Sequence, residues 1–338
     1  MKKTQVALAA LALVASTAVL ADGVKVYGTL DAGLSSASST GFYGVGNNGT
    51  TQIGFSGTSD IDNGWKANFN LLAGIDLAQG SSGVSGGGRT TLFNRGANVG
   101  VSNESVGISL GTFFSDAVLQ AGFVTGGTAV GGDGVNVPGA VRLFGGNPGT
   151  QTDAGLAAGS KVFFIPQSVR VNFAGGGFQG DVMTKVVTQD AANSTYTAAT
   201  LRTSLNGVNV AVGYQNAGYT VASNDYSSTF VAANTSFGDV RINGAYAKNT
   251  GAANSTGYML GASTPIVGKL SGGITYAKST AALGTFTGFS LEYALGGSTV
   301  AYGTMAKFSV NGGGGSTSNS GTVITGDNLL TVGLKHSF

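Results

Sequence analysis

Few residues in this 338-residue chain are able to make or break bonds. There is no cysteine, so disulfides and thiolate metal sites are excluded. The one histidine, His336, stands in the closing alternating segment, a poor place to hold the imidazole of a serine–histidine–aspartate triad. Asp60-Ile61-Asp62 begins like a calcium loop, but the later ligands are missing and the stretch reads as a tight turn. Gly86-Gly87-Gly88 and Gly312 to Gly315 lack the Gly-Lys-Ser/Thr and the following helix of a phosphate loop. No catalysis, cofactor or metal is expected. What remains is electrostatic: single charges set among apolar neighbours. On alternating segments these are Lys25, Asp31, Lys66, Arg95, Arg170 and Arg202, and on one long Gly-rich connection Asp116, Asp133 and Arg142. The alternating-segment charges are out of phase with their apolar neighbours, and a charge facing lipid at mid-membrane would cost about 2–4 kcal/mol. They are expected to line a wet surface, an interfacial or loop-base position being the alternative for each.

The elements that would position them begin after a leader. Lys2 and Lys3, the apolar run Val6 to Val19 and the small residues of Val19-Leu20-Ala21 read as a secretory signal peptide over 1–21, cleaved after Ala21. Without its two lysines the remaining 22–338 is balanced at 15 basic and 15 acidic residues. Such a chain lacks the basic stripe that nucleic acid requires. The 59 glycines are far above an average usage of about 7%, yet only four prolines and no Gly-X-Y period accompany them.

Past Ala21 no run is long enough to span a bilayer as a helix. Instead, segments of about ten residues alternate apolar and polar, the period of a strand with two unlike faces. Sixteen are expected, from Val24–Leu34 to Asp327–Phe338. Tight turns such as Asp62-Asn63-Gly64, Asn206-Gly207 and Gly238-Asp239 follow the even segments, and longer polar stretches follow the odd ones. One-sided connections of this kind describe an all-β fold: a transmembrane antiparallel up-and-down β-barrel of 16 strands. Parity separates the faces. Trp65, Ala67, Phe69, Leu71, Ala73 and Ile75 oppose Lys66, Asn68, Asn70 and Asp76, and Leu330, Val332 and Leu334 oppose Thr331, Gly333 and Lys335. Trp65, Phe173, Tyr214, Phe237, Tyr246, Tyr276, Tyr293, Tyr302 and Phe338 fall near segment ends and are candidates for interfacial girdles. A soluble sandwich also alternates, but would not explain the one-sided loops.

One connection is out of scale. Ser115–Ser160 follows the fifth segment, is rich in Gly and Ala, and shows no sustained alternation. Loops of that length are functional or disordered; folded inward, this one would narrow the lumen, and folded outward it would be a surface loop.

The chain resembles the Gram-negative general porins, in particular the sixteen-stranded trimeric porins of β-proteobacteria. Val26-Tyr27-Gly28-Thr29-Leu30-Asp31-Ala32-Gly33, Gln52-Ile53-Gly54-Phe55-Ser56-Gly57 leading to Asn63-Gly64-Trp65-Lys66-Ala67, Leu92-Phe93-Asn94-Arg95, Ser168-Val169-Arg170 and the ending Val332 to Phe338 carry the resemblance. It implies an outer-membrane, water-filled channel for passive diffusion of small hydrophilic solutes and ions. It further implies a homotrimer in outer-membrane lipid, an inward-folded loop over 115–160, and Phe338 as a signal to the barrel assembly machinery. Acidic residues usual in the family at the positions of Ser59 and near Leu72, a basic one near Thr51-Gln52 and a Tyr at Asn98 are missing. With fewer charges at the eyelet, weak charge selectivity is expected. The rival readings are a substrate-specific channel and a plugged adhesin or surface-antigen barrel.

Overall fold

The structure is a computed structural model. It describes all residues except 1–22, 38–40, 47–50, 78–79, 83–91, 115–163, 187–194, 219–224, 252–253, 281–283, 310–315, 318–322 and 325–327. Sixteen long strands are laid down in order: β1 (Lys25–Ala37), β2 (Gln52–Asp60), β3 (Lys66–Asp76), β4 (Gly96–Ser102), β5 (Val106–Phe114), β6 (Phe164–Gly175), β7 (Phe178–Lys185) and β8 (Thr195–Leu205). They continue as β9 (Val208–Gly218), β10 (Tyr226–Phe237), β11 (Val240–Gly251), β12 (Ser255–Val267), β13 (Leu270–Ser279), β14 (Thr285–Gly296), β15 (Thr299–Ser309) and β16 (Asn328–Ser337). Each pairs antiparallel with its sequence neighbour, and β16 returns to β1 through Thr29↔Ser337 to Ala37↔Leu329. The sheet is therefore closed, an up-and-down barrel without an open edge.

The turns explain the alternation of short and long connections. Asn206 and Gly207 both take positive φ (49° and 81°), as a two-residue type I′ hairpin requires. Between β4 and β5, Asn103 Oδ1 accepts from the N–H groups of Ser105 and Val106, both at 2.9 Å, and closes an Asx turn. These tight turns all lie at one end of the barrel, the periplasmic end of such folds. The two strand prolines sit at irregularities where no ladder donor is lost: Pro166 beside Gln167 (φ 54°), and Pro265 at the register shift between β12 and β13.

Side-chain polarity is inverted relative to a water-soluble barrel. Val99, Leu110, Val212, Leu260, Leu330, Val332 and Leu334 point outward and are exposed, while Asp31, Asp181, Gln215, Asn243, Thr275, Ser290 and Thr331 point inward. Leu260 at 57% and Thr331 at 0% exposure measure that contrast. An apolar outer band and a polar interior are stable only with lipid outside and water or polar groups within.

The glycines have a packing role in this wall. The ring of Tyr27 lies where a Cβ on Gly54 would be, and Phe230 does the same to Gly213, Phe69 to Gly57, Phe173 to Gly180 and Phe338 to Gly28. Aromatic rings thus lie flat across neighbouring strands instead of standing into lipid or lumen.

The first and last strands agree with the bounds predicted from sequence to within a few residues. A short strand, Gly41–Gly46, pairs with the outer half of β1 and was not anticipated. The leader 1–21 lies outside the described residues.

Candidate functional site

The inner wall is built by parity. On β1 the odd residues face inward, from Lys25 at the periplasmic rim, exposed and opposite Ser56, to Asp31 at mid-strand. Asp31 is 1% exposed, and its Oδ1 accepts the hydroxyl of Tyr302 from β15. The backbone at this point has a special requirement. Below it β1 pairs with β2 as far as Thr29↔Gln52, and above it with Gly41–Gly46 from Gly33↔Gly46. In the gap, Asp31 N–H donates to Thr51 Oγ1 and the Thr51 hydroxyl donates to Asp31 O, both at 3.0 Å. One threonine thereby satisfies backbone groups that the ladder leaves over.

Next along the wall, across the barrel closure, Lys335 Nζ donates to Glu292 Oε1 at 3.1 Å. Lys335 is the cross-strand neighbour of Asp31, and Glu292 that of Tyr302. Strands β14, β15, β16 and β1 therefore carry one continuous polar patch: Glu292, Tyr302, Lys335 and Asp31.

A second patch occupies β6 to β8. Arg170 donates from Nε (3.0 Å) and Nη2 (2.6 Å) to Asp181 Oδ1, and Thr200 Oγ1 donates to Asp181 Oδ2 at 3.3 Å. Charge-assisted bonds of this fork geometry are about twice as strong as neutral ones. Arg202 lies on the same inward face, two residues closer to the periplasmic end. Lys66 and Asp60 form an ion pair at 2.8 Å across the β2–β3 turn, with side chains 55% and 68% exposed. That is a rim position of little energetic weight. Arg95 stands just before β4; its Nη1 donates to Gln52 Oε1 at 3.4 Å, and its guanidinium lies 6.0 Å from the Phe164 ring centre. Asp116, Asp133 and Arg142 lie outside the described residues, as does Ser115–Ser160.

Not all of the inner face is polar. Phe113, Ile165, Met183, Tyr196, Ala198 and Ala217 form a buried apolar cluster on β5 to β9. It lies where β5 ends at Phe114 and β6 begins at Phe164.

Several expectations change. Tyr302 is not a girdle residue: it is 5% exposed and turned into the lumen, because its even parity on β15 opposes that of outward Met305. Ser59 shares the outward face of Ile53, Phe55 and Gly57 near the periplasmic turn, so an acid there would not line the lumen. Leu72 and Asn98 do fall on inward positions, and Asn98 Nδ2 donates to Thr112 O at 3.3 Å. Glu292 was not singled out from sequence, although it is out of phase with Leu291 and Tyr293, and Lys335 was placed on the face of Thr331 and Gly333 without a role. Phe338 is 48% exposed on the outer face, stacks on His336 at 6.3 Å between ring centres, and exchanges two backbone hydrogen bonds with Gly28 (3.0 and 3.1 Å). His336 also faces outward, its Nδ1 2.8 Å from Thr299 Oγ1.

A closed, lipid-facing barrel with a charged polar interior narrows the comparison with known proteins, and the Gram-negative porin family model matches residues 7–313. The chain belongs to the Gram-negative porin family. Among solved structures it is similar to the anion-selective porin from Comamonas acidovorans, with a TM-score of 0.70 at 17% identity, covering 94% of this chain and 99% of that one. It is also similar to OmpT, an outer membrane protein of Vibrio cholerae, in its trimer form (TM-score 0.66, 13% identity, 94% and 99% covered). A mutant of the Rh. blastica porin gives a TM-score of 0.62 at 14% identity, with 94% and 100% covered. Among curated proteins none matches. The protein is thus an outer-membrane porin, and its interior is the wall of the channel.

Proposed function

We propose that this porin passes small hydrophilic solutes and ions by diffusion, performs no catalysis, and distinguishes anions from cations only weakly. The observation that carries this reading is the local pairing of wall charges: Arg170 with Asp181, Lys335 with Glu292, and Lys66 with Asp60. Paired charges cancel within a few ångströms, so little field is focused across the passage. Lys25, Lys185, Arg202 and Arg241 stand on the same inward faces as Asp31 and Asp76, a small positive excess that favours anions slightly. The likeness to an anion-selective porin points the same way.

The residues we assign to the lumen wall are Lys25, Asp31, Lys66, Arg95, Arg170 and Arg202. We assign Asp116, Asp133 and Arg142 to a constriction made by 115–160. The apolar inner cluster at Phe113 and Ile165 supports that assignment, because apolar side chains on an aqueous wall call for a covering segment. The trimeric form of the Vibrio protein supports a homotrimer here, and Phe338, outward and at the barrel closure, is the residue assigned to recognition by the assembly machinery. Deleting 115–160 tests the constriction in planar bilayers. The single-channel step is expected to rise and larger sugars to enter liposomes; an unchanged step rules out a constriction at this segment. Saturable block by one solute class would instead mark a specific channel.

A further inference from the structure

Most of the aromatic rings that turn into the barrel are covered. Phe113, Tyr196, Phe230, Phe286 and Tyr302 face inward and are buried, whereas Tyr27, on the inward face of β1, is partly exposed. Tyr27 pairs with Gly54 of β2, and its ring occupies the space that a Cβ on Gly54 would need. One face of the ring is therefore pressed on the β2 backbone, which leaves the opposite face to the lumen. Its hydroxyl passes over β2 and donates to Asn70 Oδ1 on β3.

That bond orients the amide. With Oδ1 turned to Tyr27, both N–H groups of Asn70 Nδ2 are directed away from it as donors. Asn98 of β4 stands directly opposite Asn70, about 5 Å away. Its Nδ2 donates to Thr112 O at 3.3 Å, and that of Asn68 donates to Ser102 Oγ at 3.2 Å, which leaves Oδ1 of each as an acceptor. Asn68 is two residues from Asn70 on the same inward face, and all three amides are partly exposed. Ring face, donor and acceptors thus share one stretch of wall. From the ring over β2 to Asn98 on β4 is two strand spacings, about 10 Å, the length of a disaccharide.

Among the described residues this stretch carries no charge. Lys25 and the Lys66–Asp60 pair border it at the periplasmic rim, and Arg95, bonded to Gln52, borders it above. Neighbouring amide donors and acceptors suit vicinal hydroxyls, each of which donates one bond and accepts another. An aromatic face, negative at its centre, suits the C–H face of a pyranose.

We propose that Tyr27, Asn68, Asn70 and Asn98 form a weak subsite for neutral saccharides of one or two rings in the periplasmic half of the lumen. The assignment rests on the interior being an open passage. A pyranose stacks its C–H face on Tyr27, one hydroxyl accepts from Asn70 Nδ2, and a vicinal hydroxyl donates to Oδ1 of Asn98 or Asn68. A sugar held on one wall leaves the rest of the lumen free, so transit is guided and not blocked.

Saturation-transfer NMR with methyl β-glucoside and the folded protein, in a detergent without sugar headgroups, tests this. Saturation is expected to reach the pyranose C–H protons. Acyclic sorbitol, with hydroxyls but no ring face, is expected to give little signal, a comparison that needs no variant to fold. Tyr27→Leu is expected to weaken binding about five-fold, the contribution of an aromatic contact, and Tyr27→Phe to keep most of it. N70A/N98A is expected to weaken it about ten-fold through two lost hydrogen bonds. Asn209→Ala, an inward amide on β9, is expected to change nothing. Equal signals from sorbitol, unchanged binding by Y27L or by N70A/N98A, equal losses in Y27F and Y27L, or tighter binding of glucuronate than of the glucoside overturns the assignment. Conductance in KCl is read separately. Steps without saturation transfer refute the subsite and leave the channel standing, and saturation transfer without steps does the reverse.

Discussion

Asp181→Asn isolates one wall charge and sets the sign of its effect. In the wild type, Arg170 places two donors on Asp181 Oδ1 and Thr200 places one on Oδ2. The amide keeps the volume but removes the negative charge, so the positive charge of Arg170, with its side chain 25% exposed, faces the channel without that counter-charge. At about 5 Å in water a unit charge acts on a passing ion with about 0.8 kcal/mol, reduced to about 0.5 kcal/mol by 0.1 M salt. That energy raises anion occupancy about two-fold and lowers cation occupancy by the same factor, a change of about five-fold in their permeability ratio. Reversal potentials across a KCl gradient read this directly. D181N is expected to shift toward anions and Arg170→Gln toward cations. Loss of the charge-assisted bonds lowers stability by about 1.5–3 kcal/mol, measurable by urea titration in vesicles. An unchanged reversal potential in both variants, or shifts of the opposite sign, would refute a lumen position for this pair.

Other substitutions test the wall itself. Val212→Arg puts a charge on the lipid face and is expected to cost about 2–4 kcal/mol in folding into vesicles, whereas Gln215→Arg, facing inward on the same strand, is expected to fold and shift selectivity toward anions. Gly213→Val drives a side chain into the Phe230 ring and is expected to lose about 1–3 kcal/mol, with F230A restoring part of it. Tyr302→Phe removes the donor to buried Asp31 and is expected to cost about 1–3 kcal/mol, read from the urea midpoint.

The barrel was legible because period-2 alternation and turn chemistry are local. Asn206-Gly207 announced its hairpin, and the parity of Leu330, Val332 and Leu334 placed their faces correctly. Lumen contacts are less legible because they join residues distant in sequence. Asp31 and Tyr302 are 271 positions apart, and no local pattern says that β15 and β1 flank the same closing strand. Tyr302 illustrates the resulting error: its type and place near a strand end suit a girdle, and only its parity against Met305 shows that it turns inward. At Lys66 parity gives the inward face, but only the pairing with Asp60 across the tight turn gives its height at the rim. Arg95, preceding its strand, carries no usable parity; its contacts with Gln52 and Phe164 depend on β2 and β6.

The polar interior is a water-filled passage in a functioning channel. Single-channel recording of the purified protein in planar bilayers over a wide range of KCl concentration tests it most directly. Discrete steps in groups of three, with conductance rising in proportion to salt, are predicted. A bilayer that receives the folded protein and shows no conductance would mean that the barrel is plugged.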